Sequence, residues 1–256
     1  MTNALTAPAR TALAAAAAAA LLLVVGCGMH NPYPVGSFER GAFYAERGNN
    51  VEAVAALESF VRHNPTDSLA AEAQYLKAMT YMDMGEFPLA AVEFQILRKD
   101  YPTSERVEDA YFQEGLAYFD QVGRIERDMT GAYDARNHFL RFLESYPRSA
   151  HVPEVHAKLQ EISDLLVQKR LDQVKVFRQL HRHQAVGVVL DDVLASEPGS
   201  SLIDEVLWQR AKNAEKLEDA DTARSMYERI VANHPESPYA KRAAEALRRA
   251  AAADEG

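Results

Sequence analysis

Apolar and polar positions alternate most clearly from Ala71 to Pro102, and they do so with the period of a helix. Tyr75, Ala78, Met79 and Met82 recur at spacings of three and four, which puts them on one stripe. Gly85 interrupts the stripe and supplies a tight turn. A second helix begins near Pro88, a residue tolerated in a first helical turn because its missing N–H would be unpaired there anyway. This helix presents Leu89, Ala90, Val92, Phe94 and Leu97. Ala78 and Ala90 let the two backbones approach, while Tyr81 and Phe94 fill the wider gap beyond the turn.

Small, aromatic, turn, small, aromatic and proline residues at Ala78, Tyr81, Gly85, Ala90, Phe94 and Pro102 have the offsets of a tetratricopeptide helix-turn-helix. The unit recurs. Gly41, Tyr44, Gly48, Ala53, Leu57, Phe60 and Asn64-Pro65 form a first pair. A third carries Tyr111, Gly115 and Tyr118, then about eight extra residues in FDQVGRIERDMTGAY, expected as a loop, before Ala135, Phe139, Phe142 and Pro147. The fourth opens with a helix of about eight turns from His151 to Leu180, whose stripe weakens at Lys169-Arg170. There HRHQ (181–184) stands where a glycine turn is usual. A fifth starts at Ser201 and Asp204, which have capping-box spacing, and closes at His234-Pro235. An Ala/Arg-rich helix follows as a solvating cap. The closing prolines, Pro65, Pro102, Pro147, Pro198 and Pro235, are 37, 45, 51 and 37 residues apart. In NPTDS, YPTS, YPRS, EPGSS and HPES the proline stops one helix and the following Ser or Thr caps the next. The expected fold is therefore all-α: a right-handed α-solenoid of five irregular tetratricopeptide pairs at about 37–65, 67–102, 104–147, 149–198 and 200–235, with a cap at 237–251.

The first residues follow a different rule. Residues 1–26 carry one charge, Arg10, followed by an apolar run from Ala12 to Val25, which is the pattern of an export signal. The run ends in Leu23-Val24-Val25-Gly26-Cys27, with the only cysteine of the chain at its end. This has the form of a bacterial lipobox. Cys27 is thus the expected lipidation site, carrying thioether-linked diacylglycerol and an amide-linked acyl chain such as palmitate. Several chains anchor stably where one does not, at about 0.8 kcal/mol per buried CH₂. A membrane span is disfavoured by the short run and the missing basic flank. Residues 27–36 read as a flexible tether, and Gly28 favours the outer membrane over inner-membrane retention.

Charge and chemistry narrow the function further. The net charge is −9 and no continuous basic stretch points to nucleic acid. There is no phosphate loop, no serine elbow and no free thiol once Cys27 is acylated, so no catalytic residue and no cofactor is expected. His151 and His156, and His181 and His183, lack acidic or thiol partners at metal spacing, so no metal is expected. Glu105, Glu108 and Asp109 favour the positive end of a helix rather than acid–base work. Function is expected on the repeat surface and in exposed loops.

The export signal with its lipobox, the short tether, the five pairs and the long fourth helix together resemble the family of the outer-membrane protein assembly factor BamD, the ComL-like tetratricopeptide lipoproteins. The strongest local matches are YPTSERVEDAYFQEGLAYFDQ (101–121), RDMTGAYDARNHFLRFLESYPRSAH (127–151) and the long 151–180 segment. The resemblance spans residues 27–250. It implies a non-enzymatic scaffold of the β-barrel assembly machinery, the BAM complex, lipid-anchored at the periplasmic face of the cell outer membrane. In that family C-terminal repeats dock the periplasmic domain of the barrel insertase, which falls here on residues 182–250. N-terminal repeats receive unfolded β-barrel precursors, which falls on 38–121, and accessory lipoproteins are further partners. The glycine-free HRHQ turn and the short tail after Pro235 depart from the pattern and bear on the C-terminal docking surface. The alternative is a tetratricopeptide lipoprotein scaffold for pilus-secretin assembly or peptidoglycan enzymes. Regular 34-residue intervals would favour the pilus type; 45 and 51 speak against it.

Overall fold

The computed structural model describes residues 31–122 and 129–254, and within them the chain is all-α, with eleven helices and no strand. It divides into two compact units, Met1–Glu86 and Phe87–Gly256. The first holds α1 (Phe38–Glu46), α2 (Asn50–His63) and α3 (Ala70–Asp83). The second holds α4 (Phe87–Asp100), α5 (Arg106–Val122), α6 (Thr130–Ser145), α7 (Val152–Gln179), α8 (His183–Ser196), α9 (Ile203–Lys216), α10 (Ala220–Asn233) and α11 (Ala240–Asp254). The unit boundary follows Glu86, so the second expected pair gives α3 to one unit and α4 to the other. Each unit is built of solenoid-type helix pairs, every helix packing on its neighbour in sequence.

The closing turns are one structure made five times. The residue before each proline donates its amide to the last helical turn: Asn64 to Phe60, Tyr101 to Leu97, Tyr146 to Phe142, Glu197 to Val193 and His234 to Ile230, at 2.8–2.9 Å. Proline disfavours helical backbone in the residue before it, and Asn64, Tyr146, Glu197 and His234 accordingly sit at φ between −128° and −133°. Three residues on, the amides of Asp67, Ser104, Ser149, Ser200 and Ser237 return to the carbonyl of that pre-proline residue. Their side-chain oxygens accept the amides of Leu69, Arg106, His151, Leu202 and Tyr239. In NPTDS the acceptor is Asp67, because register and not residue type selects it. These bonds close the turn rather than cap the next helix as expected, since the N-cap residues are Leu69, His151 and Leu202 and none makes a side-chain cap bond. The expected capping box at Ser201 and Asp204 does not form. Ser201 donates its hydroxyl to Asp164 at 2.7 Å, and Asp204 accepts that of Ser237 at 2.6 Å.

The turns inside pairs also repeat. Gly48, Gly85, His181 and Glu218 adopt the left-handed conformation, with φ between 54° and 70°. The amide after each donates five residues back, Asn49 to Tyr44, Glu86 to Tyr81, Arg182 to Phe177 and Asp219 to Ala214, which is the Schellman closure of a helix. His181 thus stands in the missing glycine's place.

Three cores result. In the first unit Leu57, Phe60 and Ala73 are buried with Phe38, Val61 and Leu76 against them. Within the second unit Tyr111, Phe112, Phe139, Phe142, Val155 and Ile162 form an aromatic core, and Leu171, Val174, Leu190, Val206, Leu207 and Ile230 belong to an aliphatic one. The 28 residues of α7 join them, its first half packing in one core and its second half in the other. The helix runs unbroken through Lys169-Arg170, held by Val167 and Leu171 on either side.

Several positions depart from the expected stripes. Leu89 and Val92 are 47% and 51% exposed, and Ala91 is buried beside Ala90, Phe94 and Leu97 instead. On α3 Tyr75, Met79 and Met82 are only half-buried; the buried positions are Ala70, Ala73 and Ala78 with Gln74, Lys77 and Thr80. That helix packs on both α1 and α2, which widens its buried face, and Thr80 satisfies its hydroxyl on the Leu76 carbonyl. The last part of the expected tether is also pinned. Asn31 is buried and donates to the Arg40 carbonyl, while Arg40 returns a bond to the Tyr33 carbonyl at 2.9 Å.

Candidate functional site

Cys27, the expected lipidation site, lies outside the described residues, as do the export signal and positions 123–128 of the third-pair insertion. Among the described residues no three or more His, Cys, Asp or Glu side chains group so as to hold a metal. His151 instead accepts a structural task, meeting Asp109 at 3.0 Å and stacking on Phe112 with ring centroids 4.2 Å apart.

A cluster of buried and half-buried polar groups lies between α4, α5 and α6. Arg98 donates to Glu114 in a short, charge-assisted contact, and its guanidinium lies 3.5 Å from the Tyr111 ring centroid. Tyr118 donates its hydroxyl to Glu114 at 3.2 Å. His138 bonds the Tyr111 carbonyl at 2.8 Å; a carbonyl only accepts, so Nε2 carries the hydrogen and Nδ1 faces Glu114 at 3.8 Å. Burial lowers the His138 pKa to about 4. Burial also raises that of Glu114 against the lowering effect of Arg98 and Tyr118. Gly115 brings α5 and α6 together, since a Cβ there would meet Phe139 at 2.5 Å. Each polar group here is spent on another, and the cluster joins helices.

A second set of polar bonds ties first helices to closing turns. Asp164 of α7 accepts the hydroxyls of Ser200 and Ser201 and the Ser201 amide. Burial pushes its carboxyl up, but these bonds hold it below the usual carboxylate range. Asp204 repeats the device on Ser237. Glu197 receives Arg136 of α6 on both oxygens at 2.7 Å and Ser163 of α7 at 2.8 Å.

Around the C-terminal end of α7 the charges are arranged differently. Arg178, His183, Trp208, Gln209, Lys212, Asn213 and Lys216 line a cavity of about 210 Å³. Its inner wall is fixed by Asn213, which is buried and donates to the His183 carbonyl at 2.9 Å. Arg178 donates to Gln209 at 2.9 Å, and Lys212 pairs with Glu215. Trp208 is the only tryptophan of the chain. It stacks on Tyr239 at 5.5 Å and 16°, with the Arg242 guanidinium 4.5 Å from its ring centroid. Among the described residues Arg178, Lys216 and Arg242 make no ion pair. Exposed cations beside a half-buried indole, at this volume, fit a carboxylate-bearing or apolar side chain of a protein rather than a cofactor.

This pocket falls within the segment expected to dock a partner, apart from Arg178. Its residues were not evident individually, although Trp208, Lys212 and Lys216 recur at i, i+4 and i+8 on one helix face. At the start of the segment expected to receive precursors, Phe43 and Tyr44 meet edge to face, Tyr33 from just before the segment meets Phe43 likewise, and Arg47 lies 3.6 Å over the Phe43 ring.

The outer membrane lipoprotein family YfiO matches residues 37–198, and the tetratricopeptide repeat matches residues 205–237. No curated protein matches the chain. Among solved structures, TTC0263, a thermophilic TPR protein of Thermus thermophilus, is 20% identical, with a TM-score of 0.37 over 82% of this chain and 96% of its own. MamA MSR-1 C2 is 17% identical, with a TM-score of 0.32 over 74% and 90%. The TPR domain of P58(IPK) is 18% identical, with a TM-score of 0.29 over 84% of this chain and 56% of its own.

Proposed function

The chain belongs to the YfiO family of outer membrane lipoproteins, and from that membership we propose that it is a lipid-anchored scaffold of outer-membrane protein assembly. In this reading Cys27 carries the lipid and holds the helix pairs at the periplasmic face. The pocket around Trp208 docks an acidic element of the barrel insertase's periplasmic domain, and the helix pairs of residues 38–121 receive unfolded β-barrel precursors. The work is non-enzymatic: anchoring raises the effective concentration of partners, and binding keeps unpaired strand edges of a precursor from aggregating.

One observation carries the docking assignment. A chain of net charge −9 gathers exposed cations around its single tryptophan. Such complementarity sets encounter rate and specificity, and a tryptophan with arginine is the composition of an interface hot spot. The test uses the full chain in detergent and the insertase's isolated periplasmic domain, with Trp208 fluorescence as the readout. Binding should weaken at least tenfold in an Arg178→Glu/Lys216→Glu variant and fall with added salt. Equal binding by the variant, or recovery of a secretin or cell-wall hydrolase in place of the insertase from solubilised envelopes, overturns the assignment.

A further inference from the structure

A second cavity, of about 340 Å³, lies between α10, α11 and the turn joining α9 to α10. Ala220, Ala223, Ala246 and Ala250 form its apolar wall, and Glu215 and Glu218 belong to the same lining. The repeat explains its origin. Pro198 and Pro235 are 37 residues apart, and that offset converts one cavity into the other: Arg178 becomes Glu215, His183 becomes Ala220, Gln209 becomes Ala246 and Asn213 becomes Ala250. Asn213 reaches across to the His183 carbonyl and closes the first cavity. Its counterpart Ala250 ends at a methyl group, which leaves the second cavity wider.

The sign of the charge is reversed as well. Glu215 accepts the Tyr227 hydroxyl at 2.6 Å and the Lys212 ammonium. Burial pushes its carboxyl up, but these bonds hold it below the usual range, so it is ionised at neutral pH. Glu218 makes no ion pair among the described residues, and Arg224, the cation of the lining, already interacts within the chain. An alanine-walled pocket whose lining holds the Glu218 carboxylate, unpaired among the described residues, complements an apolar side chain next to a positive charge.

We infer that the cavity between α10 and α11 binds a leucine-sized side chain adjoining a lysine or arginine of a partner protein, beside the cationic pocket one repeat earlier. This rests on the docking reading only in taking the occupant to be a protein. The volume admits such a residue pair, and the lining carboxylates select against an acidic one.

The test needs no partner. The full chain in detergent micelles, with alanine methyl groups labelled, is titrated with the capped dipeptide N-acetyl-Leu-Lys-amide and with the Leu-Gln and Leu-Glu analogues. The methyl signals of Ala223, Ala246 and Ala250 should shift with the lysine peptide at a concentration at least threefold lower than with the glutamine peptide, and should not shift with the glutamate peptide. Ala250→Asn should abolish the response by restoring the plug, and Ala246→Leu should do so by filling the space if the first variant folds poorly. Glu218→Lys should remove the preference for lysine. No shift, equal response to all three peptides, or an undiminished response in the folded Ala246→Leu chain overturns the inference. Because no insertase is present, failure here is separate from failure of docking at Arg178 and Lys216.

Discussion

On the first half of α7 the core is aromatic and encloses a carboxylate, an arginine and a histidine; on the second half it is aliphatic, and charge is exposed around Trp208. Both cores are built from helix pairs of the same kind with closing turns of the same kind, so backbone geometry does not impose the difference. What differs is how polar groups are satisfied. Glu114 meets Arg98 and Tyr118 inside the protein, whereas Arg178, Lys216 and Arg242 make no internal ion pair among the described residues. A buried charge already matched joins helices, while an exposed unmatched one is available to a partner at little desolvation cost. For the proposed docking the informative charges are therefore those left unpaired.

Removing the carboxylate from the first core breaks the comparison most strongly. Glu114→Ala leaves Arg98, Tyr118 and the buried His138 without their common neighbour and should cost about 3 kcal/mol, the range for stripping one partner from a buried pair. Glu114→Gln keeps a hydrogen-bonding group there and should cost less. Lys216→Ala should stay within about 0.5 kcal/mol. Urea unfolding of the three variants checks the order, and a Lys216→Ala loss as large as that of Glu114→Ala would erase the distinction between the two regions.

Acid should expose the same asymmetry. The folded pKa of His138 is lowered to about 4 by burial, below an unfolded value near 6.5. Its neutral form is the folded one, so its contribution is complete above pH 6.5 and is lost as pH falls from 6.5 toward 4. The loss amounts to about 3 kcal/mol. Glu114, raised by burial, acts in the opposite direction, because protonation on descending pH relieves the cost of its buried charge. His138→Gln, which cannot titrate, should therefore lose about 3 kcal/mol less than the native chain between pH 7 and pH 4, with Glu114 common to both. Identical pH profiles would mean that His138 ionises freely in the folded chain.

Much of the architecture was legible because proline and helical periodicity act locally. Asn64-Pro65, Tyr101-Pro102, Tyr146-Pro147, Glu197-Pro198 and His234-Pro235 determine their own backbone, so five turns could be located from the residues themselves. The division of α7 between two cores was not visible, since its apolar stripe has the same period in both halves. Long-range polar bonds were hidden for a related reason. Asp164 and Ser201, or Arg136 and Glu197, carry no local signal in sequence and meet only when helices pack. Ser201 and Asp204 misled for the same reason, because their capping-box spacing is real but inter-helix partners compete more effectively. At the candidate site the docking segment was evident, whereas the cavity beside α11 required knowing that Ala250 lies where Asn213 does.

The smallest expected effect concerns the turns. The first unit uses glycine at Gly48 and Gly85, but the aliphatic region places His181 and Glu218 in the same left-handed conformation. A side chain there costs about 1–2 kcal/mol, and glycine's greater loss of chain entropy offsets about 0.5–1 kcal/mol of that. His181→Gly and Glu218→Gly should thus each stabilise the chain by about 0.5–1 kcal/mol, the difference of those two effects, read as a higher urea midpoint. Their binding phenotypes should separate. Neither the docking pocket nor the second cavity is lined by His181, so its replacement should leave both intact, while Glu218 lines the second cavity and its loss should weaken the lysine peptide. Stabilisation with retained peptide binding in Glu218→Gly would make its side chain a tolerated strain without a task; stabilisation with lost binding would mean that the strain is maintained for the contact.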